Sequence, residues 1–184
     1  MTSHDDGLWS PGRRVLSGGL VLTITLVAFE ALAISTVLPI VASDLGGKEL
    51  YGWVLSAFFL GSLIGIAIVG GTVDRGTLGR PFALGLSLFA IGLLIGGLAP
   101  SMPVLIAARF IQGLGAGTIP PIAYVAIGRS LPERLRPRMF ATLSTAWILP
   151  GVVGPALAGL VGETLGWRYV LLGMLPFIAV AGVL

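Results

Sequence analysis

Long apolar runs alternate along the chain with short polar connections. Six runs consist almost entirely of apolar and small residues, near 15–41, 51–71, 81–99, 103–128, 138–161 and 167–184. About 20 such residues cross the hydrocarbon core of a bilayer as an α-helix. Helices satisfy their own backbone in lipid, and the sequence lacks the ten-residue alternation of barrel strands. We predict an all-α integral membrane protein, with a polar tail over 1–14 and a bundle of six transmembrane helices over 15–184.

Composition supports a membrane protein and excludes several kinds of chemistry. Of the 184 residues, 55% are hydrophobic and 10% are charged, whereas about 25% of a soluble domain is charged. The chain has no cysteine and one histidine, His4 in the polar tail, so disulfides, thiol catalysis and cysteine-based metal sites are excluded. No GxxxxGK[ST] phosphate loop is present, and we expect no ATP use, no cofactor and no metal.

The basic residues predict the orientation in the membrane. Most arginines fall in the N-terminal tail and in alternate connections: Arg13, Arg14, Arg75, Arg80, Arg129, Arg134, Arg136 and Arg138. Only Lys48 and Arg168 belong to the opposite side. By the positive-inside rule the N-terminus faces the cytoplasm, and we expect a multi-pass protein of the plasma membrane. The same rule explains the isoelectric point near 10.0, so nucleic acid is not an expected partner.

Two charged residues stand inside predicted spans. Glu30 lies in the first span and Arg109 in the fourth, with Gln112 one turn further along. A charge in the bilayer is costly and is usually turned toward the interior of a bundle. We predict that both side chains face inward and interact; for Arg109 the alternative is snorkelling to the headgroups, and for Glu30 a purely structural ion pair. Trp147, in the middle of the fifth span, lines a cavity or packs in the core.

Three glycine-rich stretches carry further signals. "GGTVDRGTLGR" (70–80) connects the second and third spans, and its glycines allow two helices to approach closely. "RFIQGLGAG" (109–117) contains a small-xxx-small pair. In "PGVVGPALAG" (150–159) a proline bends the fifth helix beside a smooth glycine face, which suits packing against a moving partner. The alternatives are an ordinary polar turn and an ordinary kinked packing helix.

These stretches, in this order, resemble the major facilitator superfamily. "FEALAISTVLP" and "GWRYVLLGMLP" are similar to its drug:proton antiporter branch. The resemblance implies the N-terminal six-helix half of such a transporter, with no enzymatic activity. It implies proton coupling by Glu30 and Arg109 and a substrate cavity that includes Gln112 and Trp147. It also implies a conformational switch at Gly70, Asp74, Arg75, Gly79 and Arg80, and an antiporter helix marked by Gly151, Gly154, Pro155 and Gly159.

A short internal sequence repeat predicts an inverted three-plus-three arrangement of the helices. "GGTVDRGTLGR" follows the second span, and "GLVGETLGWR" follows the fifth. Thr-Leu-Gly recurs after the acidic residue of each, Asp74 and Glu163. The two segments belong to opposite sides of the membrane, as an inverted repeat requires.

The sequence thus predicts a proton-coupled exporter of lipophilic or cationic compounds. Its expected partners are the proton, a small lipophilic substrate, the bilayer, and either a C-terminal bundle or a second copy. Because the sixth span ends the chain, a fragment is one expectation and a half-size transporter acting as a homodimer is another. A non-transporting receptor or assembly subunit on the same bundle is the competing function.

Overall fold

The computed structural model describes residues 7–72 and 77–183, which form an α-helical bundle. Its helices are α1 (Arg14–Leu45), α2 (Tyr51–Thr72), α3 (Gly79–Gly97), α4 (Met102–Ser130), α5 (Arg136–Thr164), α6 (Trp167–Leu172) and α7 (Leu175–Val183). Two short 3-10 turns, Lys48–Leu50 and Glu133–Leu135, precede α2 and α5. The described residues contain no strand. The first five helices are long and apolar enough to span a membrane, as the predicted all-α membrane fold requires.

The sixth predicted span differs from the continuous helix expected over 167–184. It is divided into α6 and α7 by a turn at Gly173 and Met174. Pro176 has no backbone N–H to donate to the carbonyl of Leu172, so the regular ladder is interrupted there. The first helix also differs, because it continues past the predicted boundary at 41 to Leu45.

Helix packing follows the pattern of two interlocked three-helix units. In the first unit α2 and α3 pack against α4, while in the second α5 and α6 pack against α1. If α6 and α7 together count as the sixth helix, α1, α2 and α3 correspond to α4, α5 and α6. Under this correspondence the contacts of α2 and α3 with α4 match those of α5 and α6 with α1. Inverted repeats produce this reciprocal arrangement, with the central contact between α1 and α4.

Glycines allow α4 to lie directly against the backbone of α2. A side chain at Gly113 would collide with the carbonyl of Phe58, and one at Gly117 with the carbonyl of Ser62. Gly61 of α2 makes the reciprocal approach to α4. Small residues are used this way between membrane helices, where close van der Waals packing replaces the hydrophobic driving force. The close approach sets the position of Arg109, one turn before Gly113.

Apolar side chains occupy both the interior and the outer surface of the bundle. Ile34, Leu38 and Leu93 are fully buried between helices, whereas Leu63 and Val152 are 65% and 74% exposed. Water would penalise such an exposed apolar exterior, and lipid or a neighbouring helix bundle would not. Among the described residues, the interior contains few polar side chains, and Glu30 and Arg109 are the charged ones.

Candidate functional site

Glu30 and Arg109 form an ion pair in the interior of the bundle. Glu30 is sixteen residues from the start of α1 and fifteen from its end, and Arg109 lies near the first quarter of α4. Each side chain is only 1% exposed, and Nη1 of Arg109 donates to Oε1 of Glu30. The two residues predicted to face inward thus meet, and Arg109 does not snorkel to the surface.

Further partners hold the Arg109 guanidinium in a fixed orientation. Its Nη1 also donates to Oε1 of Gln112 at 2.6 Å, and its Nε to the backbone carbonyl of Val54 at 3.4 Å. The guanidinium carbon lies 4.3 Å from the centre of the Phe58 ring, in a cation–π contact. Val54 and Phe58 belong to α2, so the glycine-mediated approach of α2 and α4 brings these partners to the arginine. Sequence reasoning missed both, because a backbone carbonyl and a core phenylalanine carry no motif.

One oxygen of the carboxylate is left without a partner. Oε2 of Glu30 is buried and accepts no hydrogen bond from the described residues. Nε2 of Gln112 is likewise buried and has no hydrogen-bond partner among the described residues. Buried polar atoms without partners are costly and uncommon. Oε2 of Glu30 can therefore bind a proton or a water molecule, or a small rearrangement can bring a donor to it.

The two residues predicted for a substrate cavity lie in different places. Gln112 is 1% exposed and belongs to the Arg109 cluster. Trp147 is 45% exposed and lines a crevice of about 100 Å³ with Tyr124, Phe140 and Ile24. The Tyr124 and Phe140 rings, from α4 and α5, meet edge to face with centroids 5.6 Å apart. The spacing of seven residues between Phe140 and Trp147 places both on one helix face and could have revealed this cluster.

The residues predicted for a conformational switch are only partly described. Asp74 and Arg75 lie outside the described residues. Gly70 has open space around its Cα, and so does Gly79 at the start of α3. Among the described residues, none comes within 4 Å of a side chain built at Gly70. Arg80 is exposed on the first turn of α3.

The glycine face of α5 packs against α1 in this structure, and the expected packing of the stretch against a moving partner stays a prediction. A side chain at Gly154 would contact the ring of Phe29, at 3.5 Å, and one at Gly159 would contact Thr36 at 3.8 Å. Gly151 is exposed, and a side chain there would contact Leu32 of α1 at 3.9 Å. Pro155, within this stretch of α5, is half-buried. Pattern alone could not decide which neighbour the smooth face would meet.

A second charged cluster joins the ends of three helices at the opposite end from the arginine-rich connections. Asp44 of α1 accepts hydrogen bonds from Nε1 of Trp167 at 3.0 Å and from Nη1 of Arg168 at 2.6 Å. Nη2 of Arg168 donates to the carbonyl of Ala99, just after α3. Sequence reasoning missed these bonds.

The described residues form a bundle of apolar helices with an interior ion pair and reciprocal three-helix units, which is the architecture of a multi-pass membrane protein. Residues 20–184 match the family model of the Major Facilitator Superfamily, and the chain belongs to that superfamily. Its members move solutes across membranes and are not enzymes, which confirms the family and the absence of enzymatic activity expected from the sequence.

Curated relatives include proteins named as drug transporters. A probable multidrug-efflux transporter of Mycobacterium tuberculosis is 34% identical over 155 residues, which cover 84% of this chain and 32% of that protein. Multidrug resistance protein 3 of Bacillus subtilis is 31% identical over 152 residues, covering 83% of this chain and 30% of that protein. The chain thus spans about a third of the length of these relatives.

A solved structure has the same fold. The crystal structure of a D-xylose-proton symporter superposes with a TM-score of 0.82, covering 92% of this chain and 47% of the symporter chain. The identity is 15%, so the likeness concerns the fold. It confirms the predicted arrangement of a major facilitator bundle.

Proposed function

We propose that this chain is part of a proton-coupled exporter of lipophilic or cationic compounds. The observation that carries the proposal is the buried Glu30–Arg109 ion pair with one carboxylate oxygen left unpartnered. Relatives named for multidrug efflux and for multidrug resistance support the substrate class.

The ion pair provides a chemical basis for coupling. Burial favours a neutral carboxyl group, while a nearby cation favours the ionised form. In the geometry described here, Arg109 holds Oε1 of Glu30. A movement that lengthens this contact while the site stays dry would favour the neutral carboxyl and load a proton on Glu30. A movement that restores the contact or hydrates the site would favour the carboxylate and release the proton. The hydrogen bond of Arg109 to Gln112 keeps the guanidinium partly satisfied during such an exchange.

The crevice beside Trp147 is the proposed contact surface for the substrate. Its three aromatic rings offer apolar area and faces that attract cations. Because the relatives are about three times as long as the matched region, we propose that the substrate binds between this bundle and a second one. Either a longer chain or a second copy supplies that bundle, and alternating access follows from rocking of the two.

The orientation forms part of the proposal. The arginine-rich end holds the starts of α1, α3 and α5 and the end of α4. By the positive-inside rule this end faces the cytoplasm, and export then moves substrate toward the end marked by Asp44 and Arg168.

Transport by the natural full-length protein in liposomes tests the function. Glu30→Gln should retain binding of a lipophilic cation such as ethidium and lose its pH-driven movement. Glu163→Gln, an exposed glutamate on α5, is the matched control and should transport normally. Full pH-driven export by the Glu30→Gln variant would show that Glu30 is not the proton site.

A further inference from the structure

An apolar cleft lies outside the ion-pair site, at the arginine-rich end of the bundle. It has a volume of about 690 Å³ and lies between the starts of α1 and α3 and the ends of α4 and α7. Its walls include Leu16 and Leu20 of α1, Phe82 and Ala83 of α3, Ala126 of α4 and Ile178 of α7. The volume is in the range of about 300–1,000 Å³ typical of small-molecule sites.

The lining is suited to a hydrocarbon chain. Among the described lining residues, Ser87 and Ser130 are the only ones with polar side chains, and none is charged. Ala83 and Ser87 are exposed, so the cleft is open to the surroundings of the bundle. It shares no residue with the Glu30–Arg109 cluster or with the crevice beside Trp147.

Three arginines continue the cleft-lining faces of their helices toward the membrane surface. Arg13 precedes Leu16 and Leu20 by three and seven residues, and Arg80 precedes Ala83 and Ser87 by the same intervals. These spacings place residues on one helix face. Arg129 follows two lining residues of α4, Ile122 and Ala126, at the same spacings, although it already has an interaction within the protein.

The donors of two of these arginines fit an anion. Nη1 of Arg13 is buried and has no hydrogen-bond partner among the described residues. Arg80 is exposed at the first turn of α3, whose N-terminus has no side-chain cap. Guanidinium groups and uncapped helix N-termini both favour phosphate oxygens.

We propose that the cleft binds an anionic phospholipid of the leaflet at the arginine-rich end. One acyl chain enters the cleft between α1, α3, α4 and α7. The phosphate group is held by Arg13 and Arg80, with Arg129 adding positive charge. The lipid fills the space between the helices of the two three-helix units and fixes their separation at this end.

Native mass spectrometry of the natural full-length protein tests the site. Dioleoyl phosphatidylglycerol and dioleoyl phosphatidylcholine, which have the same chains, are offered in turn. Phosphatidylglycerol should be retained preferentially, and Arg13→Gln and Arg80→Gln should each weaken its retention about fivefold. Ala83→Trp, which fills the cleft, should abolish retention.

Matched variants separate the cleft from the remaining surface. Leu84→Trp changes the neighbouring residue, which is 67% exposed and does not line the cleft, and should retain the lipid. Lys48→Gln removes a charge at the other end and should also retain it. Equal retention of the two lipids, unaltered retention by Ala83→Trp, or complete displacement by glycerol phosphate would each overturn the proposal. The arginine variants keep the test decisive if Ala83→Trp does not fold, and lipid retention is read independently of transport.

Discussion

The bundle contains two arginine–carboxylate clusters assembled from the same kinds of groups in different surroundings. In the interior, Arg109 pairs with Glu30, lies on the ring of Phe58 and donates to a backbone carbonyl of α2. The second cluster, called the outer cluster because it is partly exposed, lies at the end opposite the arginine-rich connections. There Arg168 pairs with Asp44, lies 4.5 Å from the ring of Trp167 and donates to the carbonyl of Ala99.

Burial separates the two clusters. The interior side chains are 1% exposed, whereas Arg168 and Asp44 are 39% and 46% exposed. Two charges removed from solvent lose their hydration, and their mutual attraction offsets that loss only when the geometry is good and the remaining atoms are satisfied. Exposed pairs keep most of their hydration and contribute little. The outer cluster therefore joins the ends of α1, α3 and α6 without adding much stability, whereas removing one charge from the interior cluster leaves the other charge uncompensated.

Removal of one interior charge should have the largest effect. Arg109→Met leaves Glu30 buried beside no cation, and we expect a loss of about 3–5 kcal/mol of stability, the usual result of breaking a buried pair. Adding Glu30→Gln should recover part of this loss, because the uncompensated charge is removed. Thermal unfolding followed by tryptophan fluorescence measures both variants. Equal stability of the single and double variants would mean that the pair is not electrostatically coupled.

Disturbing the backbone contact that positions Arg109 should have an intermediate effect. Gly113→Ala forces α4 away from the carbonyl of Phe58, and overpacking of this kind costs about 1–3 kcal/mol. Gly70→Ala is the matched control, since none of the described residues lies within 4 Å of a Cβ built there, and its effect should stay within about 0.5 kcal/mol. If the two variants unfold at the same temperature, the close approach of α2 and α4 does not constrain the site.

The outer pair should show the smallest effect and the strongest dependence on salt. Asp44→Asn weakens the pairing with Arg168 but keeps an oxygen that can accept from Trp167. At 1 M salt the Debye length is about 3 Å, so the difference between this variant and the native protein should largely disappear. The interior pair is shielded from ions, and the loss caused by Arg109→Met should persist at the same salt concentration. A salt-independent effect of Asp44→Asn would mean that the outer cluster acts through packing.

The comparison also shows which parts of a site can be inferred from a pattern. Glu30 and Arg109 were visible because charge inside an apolar run is rare and costly. Asp44 and Arg168 were not, since charged residues at helix ends are common and their spacing of 124 residues carries no signal. Phe58 and the Val54 carbonyl were also hidden, because core aromatics and backbone atoms look alike along the sequence.

The sequence by itself determined the helical membrane fold, the number of apolar runs and the inward direction of the two interior charges. These follow from the length needed to cross a bilayer and from the cost of an unpaired charge in it. The tertiary structure decided which helices meet. It turned the glycine face of α5 onto α1, brought α2 against α4 so that Arg109 reaches the carbonyl of Val54, and divided the last span at Gly173 and Met174. In lipid no hydrophobic force selects one apolar face over another, so steric fit between distant segments makes that choice.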